Sequence, residues 1–152
     1  MAGGSHILIV EARYYPDISD ELLSGATAAL SAAGATFDRV EVPGVFEIPA
    51  AIRMAVGVAG SAAAYDGYLA LGCVIRGETT HYDIVANESS RALQGLVCEF
   101  ALPLGFGVLT VENEAQAWAR ARVAEMNTGA EAARACLAMI ELRRRLLAAS
   151  PR

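Results

Sequence analysis

Residues 68–81 read YLALGCVIRGETTH, and this stretch decides the fold. Its first part, 68–75, is apolar throughout, which is typical of a β-strand buried on both faces. A glycine-containing turn follows, and a helix then begins near Thr80, with Asp83 placed to complete a capping box. A buried strand that leads through a short turn into a helix indicates an α/β protein with a parallel sheet.

The rest of the chain repeats this alternation of strand and helix. Strands are also predicted at 7–10, 37–42 and 104–109, and helices at 18–33, from Phe46 to about Val58, at 112–126 and at 129–147. Gly34 is expected to close the first helix. Right-handed crossovers between such strands place helices on both faces of the sheet. The sequence therefore predicts a single flavodoxin-like α/β/α domain over 1–152, with a four-stranded parallel sheet and with 1–5 disordered.

Composition narrows the classes of partner. The 152 residues are 55% hydrophobic and 19% charged, as in a globular domain, and the formal net charge is -5. An acidic chain repels phosphate backbones and anionic lipid, so we expect neither nucleic acid nor a membrane as partner. No apolar run approaches the roughly 20 residues that span a bilayer, and the first residues lack a signal-peptide pattern.

The three cysteines, Cys73, Cys98 and Cys136, are odd in number and widely spaced. This spacing predicts neither a disulfide framework nor a zinc site, and it fits the reducing cytoplasm. We expect all three side chains to be small members of the core.

Candidate site residues follow the strands, because ligands of parallel sheets bind beyond the carboxyl ends of the strands. Free N–H groups and the helix dipole make the turn at 76–81 an anion site. Gly77 would let the backbone approach a ligand, and Thr79 could add a hydroxyl. His81 lies in the first helical turn, where the dipole favours a neutral imidazole and a docked phosphate would favour the charged form. A structural histidine is the alternative.

Three further residues after strands have two interpretations each. Glu47 could cap its own helix or accept hydrogen bonds from polyol hydroxyls. Tyr14 could stack on a flat heterocycle or simply pack against its neighbours. Arg120 could hold a phosphate with its planar guanidinium or form a surface salt bridge.

Two elements give these residues a common interpretation: VIRGETTH at 74–81 and GVFEIP at 44–49. With them the chain resembles lumazine synthases over nearly its whole length. The resemblance implies a transferase of riboflavin biosynthesis that needs neither metal nor cofactor. Its reaction condenses 5-amino-6-(D-ribitylamino)uracil with 3,4-dihydroxy-2-butanone 4-phosphate to 6,7-dimethyl-8-ribityllumazine, and it releases phosphate and water.

The resemblance also assigns roles to the candidate residues. Those of the aminouracil site would be Tyr14 stacking on the pyrimidine, Gly44, Val45, Phe46 and Glu47 on the ribityl chain, Val74 and Ile75 on the pyrimidine edge, and Phe106 covering the ring from a neighbouring subunit. Those of the phosphate site would be Gly77, Glu78, Thr79 and Arg120, with His81 as the proton shuttle.

Family sites lie between adjacent subunits of a pentamer, and some members assemble pentamers into hollow shells. Two positions depart from the common pattern. Glu78 replaces a small residue, so only its backbone N–H is expected to help, and Thr128 replaces a lysine near the phosphate. The segment 121–128 lacks the glycines typical of shell-forming members. We therefore expect a free pentamer or a small assembly of pentamers.

Three other classes compete with this interpretation. The first is a non-catalytic flavin- or lumazine-binding shell protein on the same scaffold, which the departures at Glu78 and Thr128 favour. A flavodoxin-like electron carrier would need a hydroxyl-rich loop after the first strand, where 13–17 reads RYYPD. A receiver domain would need an acceptor aspartate after the third strand, which ends in Ile75-Arg76.

Overall fold

The structure is a computed structural model that describes residues 4–57 and 65–149. Its strands are β1 (His6–Ala12), β2 (Thr36–Val42), β3 (Gly67–Ile75) and β4 (Leu104–Val111). Its helices are α1 (Pro16–Ala32), α2 (Ile48–Val56), α3 (His81–Phe100), α4 (Glu114–Ala121) and α5 (Thr128–Ala148), with a 3₁₀ turn at Val45–Glu47. The four strands are parallel, in the order β2-β1-β3-β4. The predicted α/β fold with a four-stranded parallel sheet is confirmed.

The sheet has a hydrophobic core on each of its two faces, because successive side chains of a strand point to opposite faces. Ile7 and Ile9 of β1 pack with α1 and α5 on one face. Leu8 and Val10 pack with the 3₁₀ turn, α2 and α3 on the other. The helices thus form an outer layer on each face, and the carboxyl ends of the strands are left for the loops that follow them.

The edge strand β2 differs from the central strands in being mostly exposed. Its solvent-facing side chains include Asp38, Arg39 and Glu41. Charged side chains on an edge strand discourage pairing with another sheet edge.

The end of α1 follows the prediction. Gly34 has φ +76°, and its N–H donates to the carbonyl of Ser31 at 3.0 Å. The N–H of Ala35 donates to the carbonyl of Leu30 at 3.0 Å. These two bonds form a Schellman motif, which uses a glycine because L side chains rarely adopt positive φ.

The predicted helix at 112–126 was wrong at both ends, since α4 spans only Glu114–Ala121. The Asn113 side chain accepts from the Gln116 N–H at 2.9 Å and so sets the start of the helix. Arg122 has ψ 129°, outside the helical region, and ends it. The second predicted helix begins as the 3₁₀ turn, and its predicted end near Val58 lies outside the described residues.

Helix α3 differs from expectation in two respects. The predicted capping box was wrong, because Thr80 makes no side-chain cap and the Asp83 carboxylate contacts Arg76 instead. Cys98 was predicted in the core and is exposed. The reason is that α3 buries only a narrow stripe within the chain, formed by Val85, Ser89 and Leu93.

The amino end of the chain is partly described. Residues 1–3 of the segment predicted to be disordered lie outside the described residues. Ser5 is buried, and its carbonyl accepts from the Thr36 N–H at 2.9 Å. Among residues 4–57 and 65–149, no helix combines the length and apolarity needed to cross a membrane.

Candidate active site

A cavity of about 540 Å³ opens at the carboxyl ends of the strands. Its walls come from the loop after β1, the 3₁₀ turn after β2, the end of β3 and the first turns of α3. The lining residues are Tyr14, Tyr15, Pro43, Gly44, Val45, Phe46, Glu47, Cys73, Val74, Ile75, Gly77, Thr79, His81, Tyr82 and Val85. Three stretches that lie far apart in the sequence therefore share one cavity. Such a volume suits a small-molecule ligand.

The loop that presents Tyr14 is fixed by an ion cluster around one buried carboxylate. Glu11 is only 2% exposed, and its carboxylate pairs with Arg13 at 2.8 Å and with Arg39 at 2.7 Å. Arg13 also contacts Asp20 of α1, and these two carboxylates raise the pKa of its guanidinium. A charge-assisted network of this kind holds the loop in place. Tyr14 itself is 73% exposed, so its ring is free to receive a ligand.

The 3₁₀ turn is positioned by close packing on β3. A Cβ on Gly72 would lie 2.7 Å from Cγ2 of Val45, which is too short for a real contact. Only glycine at 72 therefore lets Val45 reach the sheet. Pro49 follows in the first turn of α2, where proline is well tolerated. The turn holds Phe46 and Glu47 at the cavity wall, and Phe46 is 55% exposed.

Glu47 does not cap a helix. Neither the 3₁₀ turn nor α2 has a side-chain hydrogen bond at its start. The carboxylate lies back over Gly44, with Oε2 3.7 Å from the position a Cβ would take there. The helix-capping interpretation of Glu47 was therefore wrong, and the carboxylate faces the cavity with its acceptor oxygens available.

The turn at 76–80 joins β3 to α3 and forms the other end of the cavity. The Thr79 hydroxyl accepts from the His81 N–H at 3.3 Å, and His81 is the first residue of α3 and is exposed. A Cβ on Gly77 would meet nothing within 4 Å, so packing within the chain does not require this glycine. That Gly77 allows a ligand to approach stays a prediction.

Arg76 ties this turn to its surroundings. Its N–H donates to the Val111 carbonyl at 2.9 Å, which extends the pairing of β3 with β4 by one residue. Its Nε donates to Glu112 at 2.6 Å, and its Nη1 donates to both Asp83 oxygens at 3.3 and 3.4 Å. The guanidinium also lies over the Tyr82 ring, 4.3 Å from the centroid.

The floor of the cavity is apolar. Cys73 is 5% exposed, and burial raises the pKa of its thiol to about 12. The thiol therefore stays protonated near neutral pH and is no nucleophile. Burial also raises the pKa of Tyr15 at the rim. No group of three or more His, Cys, Asp or Glu within 4–57 and 65–149 could hold a metal ion.

Three predicted site residues do not line this cavity: Glu78, Phe106 and Arg120. Phe106 is 41% exposed on β4. The Arg120 guanidinium donates to the Gln116 carbonyl at 3.1 Å, and it forms no ion pair within the part of the chain that the structure describes. The surface salt bridge offered as its alternative role was therefore wrong.

Five lining residues were not among the predicted site residues: Tyr15, Pro43, Cys73, Tyr82 and Val85. Helical spacing could have indicated Val85, because it lies one turn after His81 on the same face. The others flank predicted residues: Tyr15 and Pro43 lie in loops, Cys73 lies in β3, and Tyr82 lies in the first turn of α3.

Comparison with known proteins agrees with this geometry. The family described as 6,7-dimethyl-8-ribityllumazine synthase matches residues 4–144. The 6,7-dimethyl-8-ribityllumazine synthase 1 of Rhizobium meliloti (strain 1021) is 63% identical over 142 residues, which cover 93% of each chain. The 6,7-dimethyl-8-ribityllumazine synthase of Agrobacterium fabrum is 58% identical over 142 residues, covering 93% of this chain and 96% of the relative. The chain belongs to the 6,7-dimethyl-8-ribityllumazine synthase family.

Proposed function

We propose that this chain condenses 5-amino-6-(D-ribitylamino)uracil with 3,4-dihydroxy-2-butanone 4-phosphate to 6,7-dimethyl-8-ribityllumazine, as a transferase of riboflavin biosynthesis. One observation carries the proposal. The loop at Tyr14, the turn at 44–47 and the segment 74–81 meet in a single cavity. The names of relatives up to 63% identical support the same reaction.

The aminouracil fits the half of the cavity formed by the first two stretches. The exposed Tyr14 ring offers a face on which the pyrimidine stacks. Glu47 has free acceptor oxygens for ribityl hydroxyls, and the backbone of 44–46 adds further polar groups. The backbone of Val74 and Ile75, at the end of β3, reads the pyrimidine edge.

The keto-phosphate fits the other half. Its phosphate binds at the start of α3, where Gly77, Thr79 and the backbone N–H of Glu78 supply hydrogen-bond donors beside the positive end of the helix dipole. His81, in the same turn, also lines the cavity. In this proposal it transfers protons between the two bound substrates.

The reaction proceeds in three steps. The 5-amino group attacks the ketone carbon, and loss of water gives an imine. Elimination of phosphate leaves an enol, which tautomerises to a ketone. The ribitylamino nitrogen then attacks this ketone and closes the ring with loss of a second water. Holding two reactive substrates together supplies most of the acceleration. His81 adds roughly 10²- to 10⁴-fold through proton transfer.

Phe106 and Arg120 act in a neighbouring subunit's cavity. Phe106 is exposed on β4, Arg120 has no carboxylate partner among the described residues, and neither lines the cavity of its own chain. We propose a homopentamer with sites between subunits, in the cytoplasm, in which Phe106 covers the bound ring and Arg120 neutralises the phosphate. The missing glycines at 121–128 favour a free pentamer or a small assembly over a shell.

The test is a steady-state assay that follows the lumazine chromophore against an enzyme-free control, because the substrates react slowly without enzyme. We expect acceleration that saturates in both substrates and falls in His81→Ala and Arg120→Ala. Arg91→Ala is the matched control, since the Arg91 side chain is 75% exposed on α3 and pairs with Glu88 there. A rate equal to the enzyme-free control, with tight binding of lumazine or riboflavin, would instead establish the non-catalytic binder.

A further inference from the structure

Helix α3 begins without the Thr80–Asp83 capping box that its sequence predicts, although the Thr79 hydroxyl accepts from the His81 N–H at 3.3 Å. Thr80 and Asp83 have the identities and the spacing of a capping box, in which the hydroxyl and the carboxylate would each accept a backbone N–H of the first turn. In the structure Thr80 makes no such bond. Both Asp83 oxygens contact Nη1 of Arg76 instead, at 3.3 and 3.4 Å.

The same guanidinium is held from two other sides. Glu112, at the end of β4, accepts from Nε at 2.6 Å, and the Tyr82 ring packs under the guanidinium plane at 4.3 Å. Glu112 is itself held, because its N–H donates to the Gln116 side chain at 2.8 Å. Arg76 thus links the end of the sheet to two successive residues of the first turn of α3, directly after His81.

We infer that Arg76 is a positioning residue of the active site, which holds the Asp83 carboxylate away from the start of α3 and so leaves the Thr80 N–H and the space beside it to the substrate phosphate. The inference rests on the proposed function for the identity of that phosphate. Without Arg76, the Asp83 carboxylate would be free to turn toward the Thr80 N–H, as in a capping box. It would then place a negative charge beside the phosphate site.

This role differs from direct binding of the phosphate by Arg76. Arg76 does not line the cavity, and its donors face Asp83 and Glu112. If Arg76 acts through Asp83, the loss caused by removing Arg76 must depend on the presence of the Asp83 carboxylate. If Arg76 acts only as a cation, the effects of the two substitutions must add.

The experiment is a double-mutant cycle on the full-length protein, with Arg76→Met, Asp83→Asn and the double variant. Isothermal titration with inorganic phosphate gives one readout, and KM for each substrate gives the other. We expect Arg76→Met to weaken phosphate binding and to raise KM for the keto-phosphate by about three- to tenfold, with KM for the aminouracil within about twofold. Asp83→Asn should change phosphate binding little alone and should restore most of the loss in the Arg76→Met background.

Two further variants serve as controls. Arg91→Met removes the Arg91–Glu88 ion pair of α3 and should leave phosphate binding unchanged. Arg76→Lys keeps the charge but lacks the planar guanidinium that contacts Asp83 and Glu112 together. Its phosphate affinity should therefore lie between those of wild type and Arg76→Met. It replaces Arg76→Met in the cycle if that variant does not fold. Circular dichroism of each variant checks folding.

The outcomes separate this inference from the proposed function. Additive effects in the cycle, an equal rise in both KM values, or no phosphate binding by the wild type would overturn the role of Arg76, and turnover would still be judged by the assay above. Phosphate binding with the expected coupling, but without condensation, would support Arg76 and overturn the proposed reaction.

Discussion

The two histidines of the chain stand at opposite ends of one sheet, and their surroundings differ. At the amino end, His6 contacts Thr36 through Nδ1 at 2.7 Å and Asp38 through Nε2 at 3.1 Å, and its ring stacks on Tyr65. At the carboxyl end, the His81 side chain has no hydrogen bond or ion pair within 4–57 and 65–149.

The contrast extends to the neighbouring polar groups. Tyr65 donates to Asp38 at 2.9 Å, and the His6 N–H donates to Asp66 at 2.8 Å, so the amino-end residues satisfy one another. The Glu47 carboxylate and the Thr80 hydroxyl make none of the capping bonds that their positions would allow. Polar groups that pair with each other stabilise a fold, whereas unpaired groups around a cavity are available to a ligand.

The largest expected effect comes from making the same substitution, histidine to asparagine, at each end of the sheet. His81→Asn should lower kcat about 10²-fold and leave measurable activity, because proton transfer is lost while both substrates stay positioned. His6→Asn is the matched control and should leave kcat within about twofold. Equal losses of kcat in the two variants would break the comparison, and complete loss of turnover in His81→Asn with substrate binding intact would contradict the positioning account.

Glu47 tests whether an unpaired carboxylate serves the substrate. Glu47→Gln should raise KM for the aminouracil about tenfold, because charge-assisted hydrogen bonds to the ribityl hydroxyls become neutral ones. KM for the keto-phosphate should not change. Glu41→Gln, on the exposed edge strand, is the control. A larger loss of thermal stability than of affinity would assign Glu47 a structural role instead.

The sequence predicted the fold well, because buried strands and amphipathic helices leave periodic patterns. Its failures lie where a local rule competes with a longer-range contact. Thr80 and Asp83 follow the capping-box rule, yet Arg76 takes the Asp83 carboxylate, and Arg76 is fixed by Glu112, 36 residues away. Cys98 has helical apolar neighbours, but no element within 4–57 and 65–149 covers its side chain, which is exposed.

The candidate site was predictable only in part, from the topology of the sheet. Tyr14, Glu47 and His81 follow strands, and parallel strands bring their carboxyl ends to one edge, so their meeting in one cavity follows from topology. The places of Phe106 and Arg120 do not follow from it, because Phe106 is the third residue of β4 rather than its carboxyl end, and Arg120 lies in the last turn of a helix.

A smaller effect is expected when the contacts among His6, Asp38 and Tyr65 at the amino end of the sheet are broken. His6→Asn removes the contact with Asp38 and the stacking on Tyr65, and should lower the free energy of unfolding by about 1 kcal/mol, or the Tm by about 2–4 °C. Differential scanning fluorimetry measures the shift, and His81→Asn is now the control with an unchanged Tm. A lower Tm in His81→Asn than in His6→Asn would mean that the carboxyl end, too, is built for stability.

The smallest effect concerns the pH dependence of these contacts. Hydrogen bonds from His6 and then Tyr65 lower the pKa of Asp38 below its ordinary value of 3.8. A carboxyl group whose pKa is lower in the folded state stabilises the fold above its unfolded pKa, and this contribution is lost as the pH falls through the folded pKa. The difference in urea midpoint between wild type and Asp38→Asn should therefore be full at pH 6 and shrink below pH 4. This difference should be small at every pH, because the Asp38 carboxylate is exposed to solvent.

In a His6→Asn background the pKa of Asp38 should lie closer to its ordinary value, so the Asp38→Asn difference should be smaller at pH 6. A difference that stays constant from pH 6 to pH 3 would show that Asp38 contributes through packing alone, and the pairing that distinguishes the amino end from the cavity would lose its electrostatic part.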